Sequence, residues 1–174
     1  MSSDHPISAH WHAVYTRSRT EKKISERLQE KGIEAYVPLR KVLKQWSDRK
    51  KLVEEPLIRS YVFVKILPEQ YFEVLNTPGA VRYIFFSGKA ATIPDKQIDL
   101  LKLITGQNTD AVSIPNTFKP GTKVKVIGGP LTGLVGELIH PAGKHNVVVR
   151  IDHLDHSLSL TISPALLEIV NRES

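Results

Sequence analysis

Phe118–Gly136 reads FKPGTKVKVIGGPLTGLVG, and the fold of the chain follows from how that stretch is placed. Pro120-Gly121 is a turn leading into an alternating strand that carries Val124 and Val126. Gly128-Gly129-Pro130 makes a corner, after which a second strand begins, punctuated by Gly133 and Gly136. Glycine supplies the backbone angles that tight barrel corners demand. Two further strand-forming runs follow, VVVR at 147–150 and LSLTI at 158–162. Five short strands therefore fit into 118–170, roughly at 122–127, 133–139, 146–151, 157–162 and 166–170. Their spacing predicts a small five-stranded SH3-like β-barrel.

Working backwards, residues 107–117 (QNTDAVSIPNT) are polar and aperiodic and read as a linker. Residues 1–106 read as a separate domain. WHAVYT at 11–16 is a strand with Trp11, Ala13 and Tyr15 on one face. Ser18 starts a helix, with Glu21 at the capping-box spacing, Ile24 and Leu28 facing inward, and Gly32 closing it. A strand over 33–37 ends at Pro38. LRKVLKQWSDRKKLV at 39–53 is a protruding hairpin turning at Ser47-Asp48. Leu57–Ile66 is the most strand-like run in the chain. Pro68 opens a short helix, Val81–Phe86 is a strand, and Pro94 opens a helix lined by Ile98, Leu101 and Ile104 and ended by Gly106. The order β-α-β-β-β-α-β-α predicts an α+β domain: an antiparallel sheet flanked by helices, with the basic hairpin inserted mid-sheet.

Composition narrows the class of function. With 41% hydrophobic and 24% charged residues, the chain is that of a globular protein. No apolar run approaches the roughly 20 residues that cross a bilayer, so no membrane partner is expected. The N-terminal MSSDHPISAH lacks the basic-then-apolar plan of a signal peptide. The absence of cysteine removes disulfides and thiolate metal sites and points to a reducing cytoplasm. The net charge of +6 is unevenly placed. Residues 1–106 hold 18 Lys/Arg against 12 Asp/Glu, whereas 107–174 hold 6 of each, so the excess lies wholly in the first half. A basic half joined to a neutral half suggests that the first approaches a polyanion.

The glycine-punctuated stretch resembles a KOW module, and the two domains in this order resemble the NusG family of bacterial transcription elongation factors. WHAVYT, SRTEKKISERL, EPLIRSYVFVKI, VRYIFFSG and ATIPDKQIDLL carry the likeness to the family's NGN domain over 11–105, and 118–170 carries the KOW portion. The block EPLIRSYVFV is similar to the specialised RfaH-type and UpxY-type antiterminators, which act on selected operons. The resemblance implies a cytoplasmic, monomeric, non-catalytic factor without cofactors. It also implies an N-domain that docks a hydrophobic depression on the clamp helices of RNA polymerase and suppresses pausing.

On this sequence the matching polymerase-binding positions are Trp11, Tyr15, Ile58, Tyr61 and Phe63, with Phe85. Tyr61 and Phe63 alternate on one strand and so share a face, and clustered aromatics are common interface anchors. The alternative is that they fill the core. Where the family commonly has Phe-Pro-Gly-Tyr, this chain has Ile58-Arg59-Ser60-Tyr61, so loss of the tight turn is expected. Arg17, Arg19, Lys22 and Lys23 cluster where the first strand meets the first helix. Arg40, Lys41, Lys44, Arg49, Lys50 and Lys51 stud the hairpin against one acid, Asp48. Both groups are expected near non-template or upstream DNA, where phosphate contacts position without reading sequence. Trp46 at the tip suits stacking on an unpaired base. In the KOW portion the resemblance implies a partner site for termination factor Rho or a small-subunit ribosomal protein, at Leu131 and at Leu154, which is expected to be exposed.

His140, His145, His153 and His156 do not make a metal site: they lack a helical spacing and cysteine support. There is no GxxxxGK[ST], GxGxxG or GxSxG, so neither a phosphate cradle nor a nucleophile elbow is present. A KOW-containing RNA- or ribosome-binding protein of translation is the alternative function, but it predicts a basic barrel and this one is neutral.

Overall fold

A computed structural model of the chain describes residues 7–107, 110–115, 121–139, 146–151, 154 and 156–170. Its elements begin β1 (His10–Thr16), α1 (Glu21–Glu30), β2 (Glu34–Tyr36), β3 (Leu39–Gln45), β4 (Lys50–Pro56) and β5 (Tyr61–Ile66). There follow α2 (Tyr71–Leu75), β6 (Ala80–Tyr83), β7 (Phe85–Phe86), β8 (Lys89–Ala90) and α3 (Asp95–Gly106). The chain continues with β9 (Val112–Pro115), β10 (Thr122–Val126), β11 (Val135–Ile139), β12 (Asn146–Arg150), β13 (His156–Thr161) and β14 (Leu167–Ile169). Contacts divide it into two units, Met1–Leu39 with Ile58–Asp95, and Arg40–Leu57 with Lys96–Ser174.

The first unit is built on a four-stranded sheet in the order β2-β5-β1-β6. Its pairings are antiparallel, with Val14 opposite both Val62 and Tyr83. These three residues and Val64 share a face with Ile24 and Leu28 of α1 and form a core without solvent access. Truncating a buried Leu or Ile of this kind to Ala costs about 2–5 kcal/mol. Tyr71 of α2 stacks on Tyr83 at 4.3 Å and accepts the Tyr83 hydroxyl on its backbone carbonyl. Burial, with Tyr71 beside it, holds the Tyr83 phenol above its ordinary pKa.

Helix α1 starts later than its sequence suggests. Thr20, not Ser18, is the N-cap, and no side chain caps the helix, so the capping box does not form. Thr20 Oγ1 instead donates to the Arg17 carbonyl at 2.6 Å and closes a tight turn through Arg19, whose φ is 65°. The other end is as expected. Gly32 adopts φ 78°, its N–H reaches Gln29 O, and Ile33 N–H reaches Leu28 O, the double bond of a glycine-terminated helix.

Two segments depart from the expected order. The 39–53 hairpin is a sheet of its own, β3 with β4, and not part of the main sheet. The run Val81–Phe86 is broken at Ile84: β6 stays in the main sheet, while β7 turns back on β8 through Ser87 and Gly88. Both turn residues have positive φ (52° and 79°), which suits the twist of a two-residue hairpin.

The second unit contains a six-stranded antiparallel sheet in the order β14-β10-β11-β12-β13-β9, consistent with a KOW-like barrel. The sixth strand comes from within 107–117. Val112–Pro115 pairs with His156–Ser159 of β13, and Asp110 accepts the Thr161 N–H. Alternating Val and Ile in this stretch is enough to extend an open edge. Across β11 and β12 the Arg150 guanidinium donates to both oxygens of Glu137, and Gly121 N–H adds a third bond. The arginine contact chiefly, helped by that N–H, holds the Glu137 carboxyl below the usual carboxylate range. Gly136 is required by close approach: a Cβ there would stand 2.7 Å from both Val147 Cγ1 and the Val148 carbonyl. Gly136→Ala should therefore destabilise the C-terminal unit by about 1–3 kcal/mol, read as a lower denaturant midpoint.

His12 carries a pH signature for the first unit. It is half-buried, its Nδ1 is 2.9 Å from the Ala91 carbonyl, and its ring meets Tyr83 edge-on. Burial lowers its pKa, opposed by the Ala91 bond and reinforced by His10. An unfolded imidazole titrates near 6.5, so protonation favours the unfolded chain. The contribution is complete above about pH 6.5 and is lost as pH falls below it. Urea midpoints should drop between about pH 7 and 5.5, and His12→Gln should flatten that slope; a slope unaltered by the substitution would contradict the assignment.

Candidate functional site

The sheet of the first unit ends in a corner built by backbone hydrogen bonds. Ile58-Arg59-Ser60 turns into β5, and Ser60 adopts φ 66°. The tight turn expected to be lost is present, with serine holding a left-handed conformation that glycine takes more cheaply, by about 1–2 kcal/mol. Two bonds compensate. Thr16 N–H donates to Ser60 O at 2.9 Å, and Ser60 N–H donates to Glu21 Oε1 at 2.8 Å. Glu21 is 4% exposed and sits in the first turn of α1, where the helix dipole favours a negative charge. Arg17 N–H in turn reaches Gly79 O, which ties the start of β6 to the same end.

This corner sets a row of three side chains. Tyr15 lies opposite Tyr61 on β5 and opposite Arg82 on β6, so all three share one face. The tyrosine rings meet edge to face with centroids 5.6 Å apart, and the Arg82 guanidinium carbon lies 5.4 Å from the Tyr15 ring centroid. Both tyrosines remain half-exposed, and Arg59 and Arg82 are exposed.

Three other candidates are not on the surface. Trp11, Ile58 and Phe63 are sealed, at 4%, 1% and 0% exposure. Phe63 lies mid-strand in β5, one of the two inner strands of the sheet; Trp11, near the far end of β1, is bridged to Ile93, whose N–H donates to the Trp11 carbonyl; and Ile58 is buried just ahead of β5. Phe85 is exposed (53%), but it stands with Phe86 on the β7–β8 hairpin. The structure thus brings together Tyr15 and Tyr61, assigns Trp11, Ile58 and Phe63 to the core, and adds Arg59 and Arg82, which motif matching passed over. The i-to-j pairing of β1 with β6 is invisible in the sequence.

Arg17 and Arg19 in the β1–α1 connection, and Lys22 and Lys23 in the first turn of α1, are all exposed. On the hairpin of the second unit the charge is less one-sided than the sequence suggested. Glu55, on β4, pairs with Arg40 at 2.8 Å and Lys44 at 3.3 Å, and these contacts, Arg40 first, lower its pKa. Lys41 is exposed near the base of β3, and Arg49, Lys50 and Lys51 are exposed around the tip, where Trp46 N–H closes the turn on Arg49 O. Trp46 is 56% exposed, flanked in sequence by exposed Leu43 and Leu52.

In the C-terminal sheet, Leu131 is mostly buried and forms part of the wall of an open cleft of about 500 Å³ with Val126, Leu160, Ile162 and Leu166. Gln107 and Asp110 add polar groups to its rim. Leu154, expected to be exposed, is 4% exposed. Its N–H donates to Ile151 O, and the side chain is buried although polar residues surround it in sequence. His140, His145 and His153 lie outside the described residues.

With this geometry the chain can be set beside known proteins. The family model for NusG, transcription termination factor nusG, matches residues 9–102. The transcription termination/antitermination protein NusG of Pseudomonas aeruginosa is 26% identical over 160 residues, which cover 83% of this chain and 90% of the relative. The solved structure of Thermotoga maritima NusG, from work on its domain interaction, superposes with a TM-score of 0.57 at 22% identity. That match covers 94% of this chain and 98% of the other, and it is a likeness of fold.

The two tryptophans provide a direct check on the site. Trp11 is sealed and Trp46 exposed among cations, so iodide should quench one of two fluorescence components. Trp46→Phe should abolish the quenchable component; a quenchable remainder would place Trp11 at the surface.

Proposed function

The chain belongs to the NusG family, and from that premise we propose that it is an elongation and antitermination factor that docks on RNA polymerase through the Tyr15–Tyr61 corner. The observation that carries this is the half-exposed, edge-to-face tyrosine pair at the end of an otherwise sealed aromatic face. Tyrosine suits such a place because its ring buries apolar area while its hydroxyl stays wet. Clustered aromatic and arginine side chains are the usual anchors of protein interfaces. The partner surface is the clamp helices of the polymerase, and the factor suppresses pausing by binding the elongating conformation more tightly than the paused one.

The basic groups take the DNA. Arg17, Arg19, Lys22 and Lys23 in the first unit, and Lys41, Arg49, Lys50 and Lys51 on the hairpin, hold non-template or upstream DNA by its phosphates. Trp46 stacks on an unpaired base. Arg40 and Lys44, committed to Glu55, contribute less. The module within 1–106 grips polymerase, and the C-terminal KOW-like module recruits a second protein, either Rho or a small-subunit ribosomal protein, over the cleft that Leu131 walls. The tether raises that partner's effective concentration. The block EPLIRSYVFV supports action on selected operons in the bacterial cytoplasm. The neutral barrel disfavours a translation-side RNA-binding role.

Binding to core RNA polymerase should be measured for wild type and Tyr61→Ala. An affinity loss of about 10-fold or more, on the order of 1.4 kcal/mol, is expected. Equal affinities would remove the docking site, and no binding by either would remove the function.

A further inference from the structure

We propose that Glu21 is a positioning residue for the docking corner: its buried carboxylate locks Ser60 in the left-handed conformation and thereby fixes how Tyr61 is offered to a partner. The inference rests on the polymerase-docking reading of the Tyr15–Tyr61 pair. Glu21 lies 39 residues before Ser60, and its carboxylate reaches the corner from the first turn of α1. A carboxylate this deeply buried is expensive to keep unless it accepts hydrogen bonds. The Ser60 N–H meets that need at 2.8 Å, in the charge-assisted class of bond that outlasts ordinary ones.

The geometry makes this bond a switch on the shape of the interface. Ser60 precedes Tyr61, the first residue of β5, and its carbonyl takes the Thr16 N–H next to Tyr15. If Ser60 relaxed toward the right-handed or extended backbone that serine prefers, the peptide plane between 60 and 61 would rotate. The Thr16 bond would break, and the two rings would lose their 5.6 Å edge-to-face approach. Arg59, exposed on the same turn, would swing with it. Among the described residues Glu21 makes no ion pair, so the same carboxylate is not needed for another charge. A glycine at position 60 would hold the conformation without help, which gives the inference a specific rescue.

The test is equilibrium binding of the full chain to core RNA polymerase, with Ser60 amide hydrogen exchange measured by NMR on the free protein. Glu21→Ala should weaken binding about tenfold and strip the Ser60 amide of protection. Glu21→Gln, which keeps an acceptor but not the charge, should lie between it and wild type and serves if Glu21→Ala does not fold. Ser60→Gly added to either variant should recover most of the affinity. A merely structural role would lower thermal stability without this rescue of binding. If wild type binds in a Tyr61-dependent way and the Glu21 variants bind equally well, the positioning role is overturned and docking stands. If Ser60→Gly leaves the lost affinity unrepaired, Glu21 serves the helix and not the corner. If wild type fails to bind polymerase, docking and the positioning role fall together.

Discussion

One hydrogen bond, from the Ser60 backbone N–H to the buried Glu21 carboxylate, links the pieces of the first unit on which its surface chemistry depends. It joins helix α1 to the start of β5, and the neighbouring Thr16-to-Ser60 bond joins β5 to β1. The pairing of β1 with β5 and β6 then decides which side chains meet at the end of the sheet. The surface is therefore set by backbone conformation first and by side-chain identity second. A tyrosine at 61 without the left-handed residue at 60 would be the same group in a different place.

Charge is distributed to fit that division. The exposed arginines of the β1–α1 connection and the lysines of the first turn of α1 stand at the same sheet end as the tyrosine row, because Thr16 and Arg17 bond directly to Ser60 and Gly79. The hairpin belongs to the other unit and keeps part of its positive charge engaged by Glu55. Exposed ion pairs of this kind contribute little to stability, typically 0–1 kcal/mol. Their effect is rather to shape the hairpin stem and concentrate free charge at the Trp46 tip.

Much of the fold was legible because local and global signals agree. Ile24 and Leu28 at helical spacing, Gly32 as terminator, and the YVFVKI strand were all placed correctly from pattern alone. The errors have physical causes. Glu21 at capping-box spacing is bound to a residue far along the chain, a partner that no local pattern contains. Trp11 and Phe63 carry the same alternation as Tyr15 and Tyr61, and only tertiary structure separates them: Phe63 is central in an inner strand, and Trp11 is bridged to the distant Ile93, while Ile58 is buried ahead of β5. Ser60 lacks the glycine that announces a left-handed turn, so its conformation depends on tertiary bonds. The segment Val112–Pro115 is short, ends in proline and sits among polar residues, so it does not read as a strand, yet it completes the sheet because β13 offers it an unpaired edge. Leu154 is buried although its neighbours in sequence are polar, which concealed it.

The proposed docking of this NusG-family chain on RNA polymerase is at the end of the first sheet, at the tyrosine pair. Site-specific photocrosslinking tests it most directly, with a benzoyl-phenylalanine introduced at position 61 and, as a control, at the exposed Phe72 of α2. A crosslink from position 61 to RNA polymerase, and none from position 72, is expected. Crosslinking from 72 with none from 61 would contradict it.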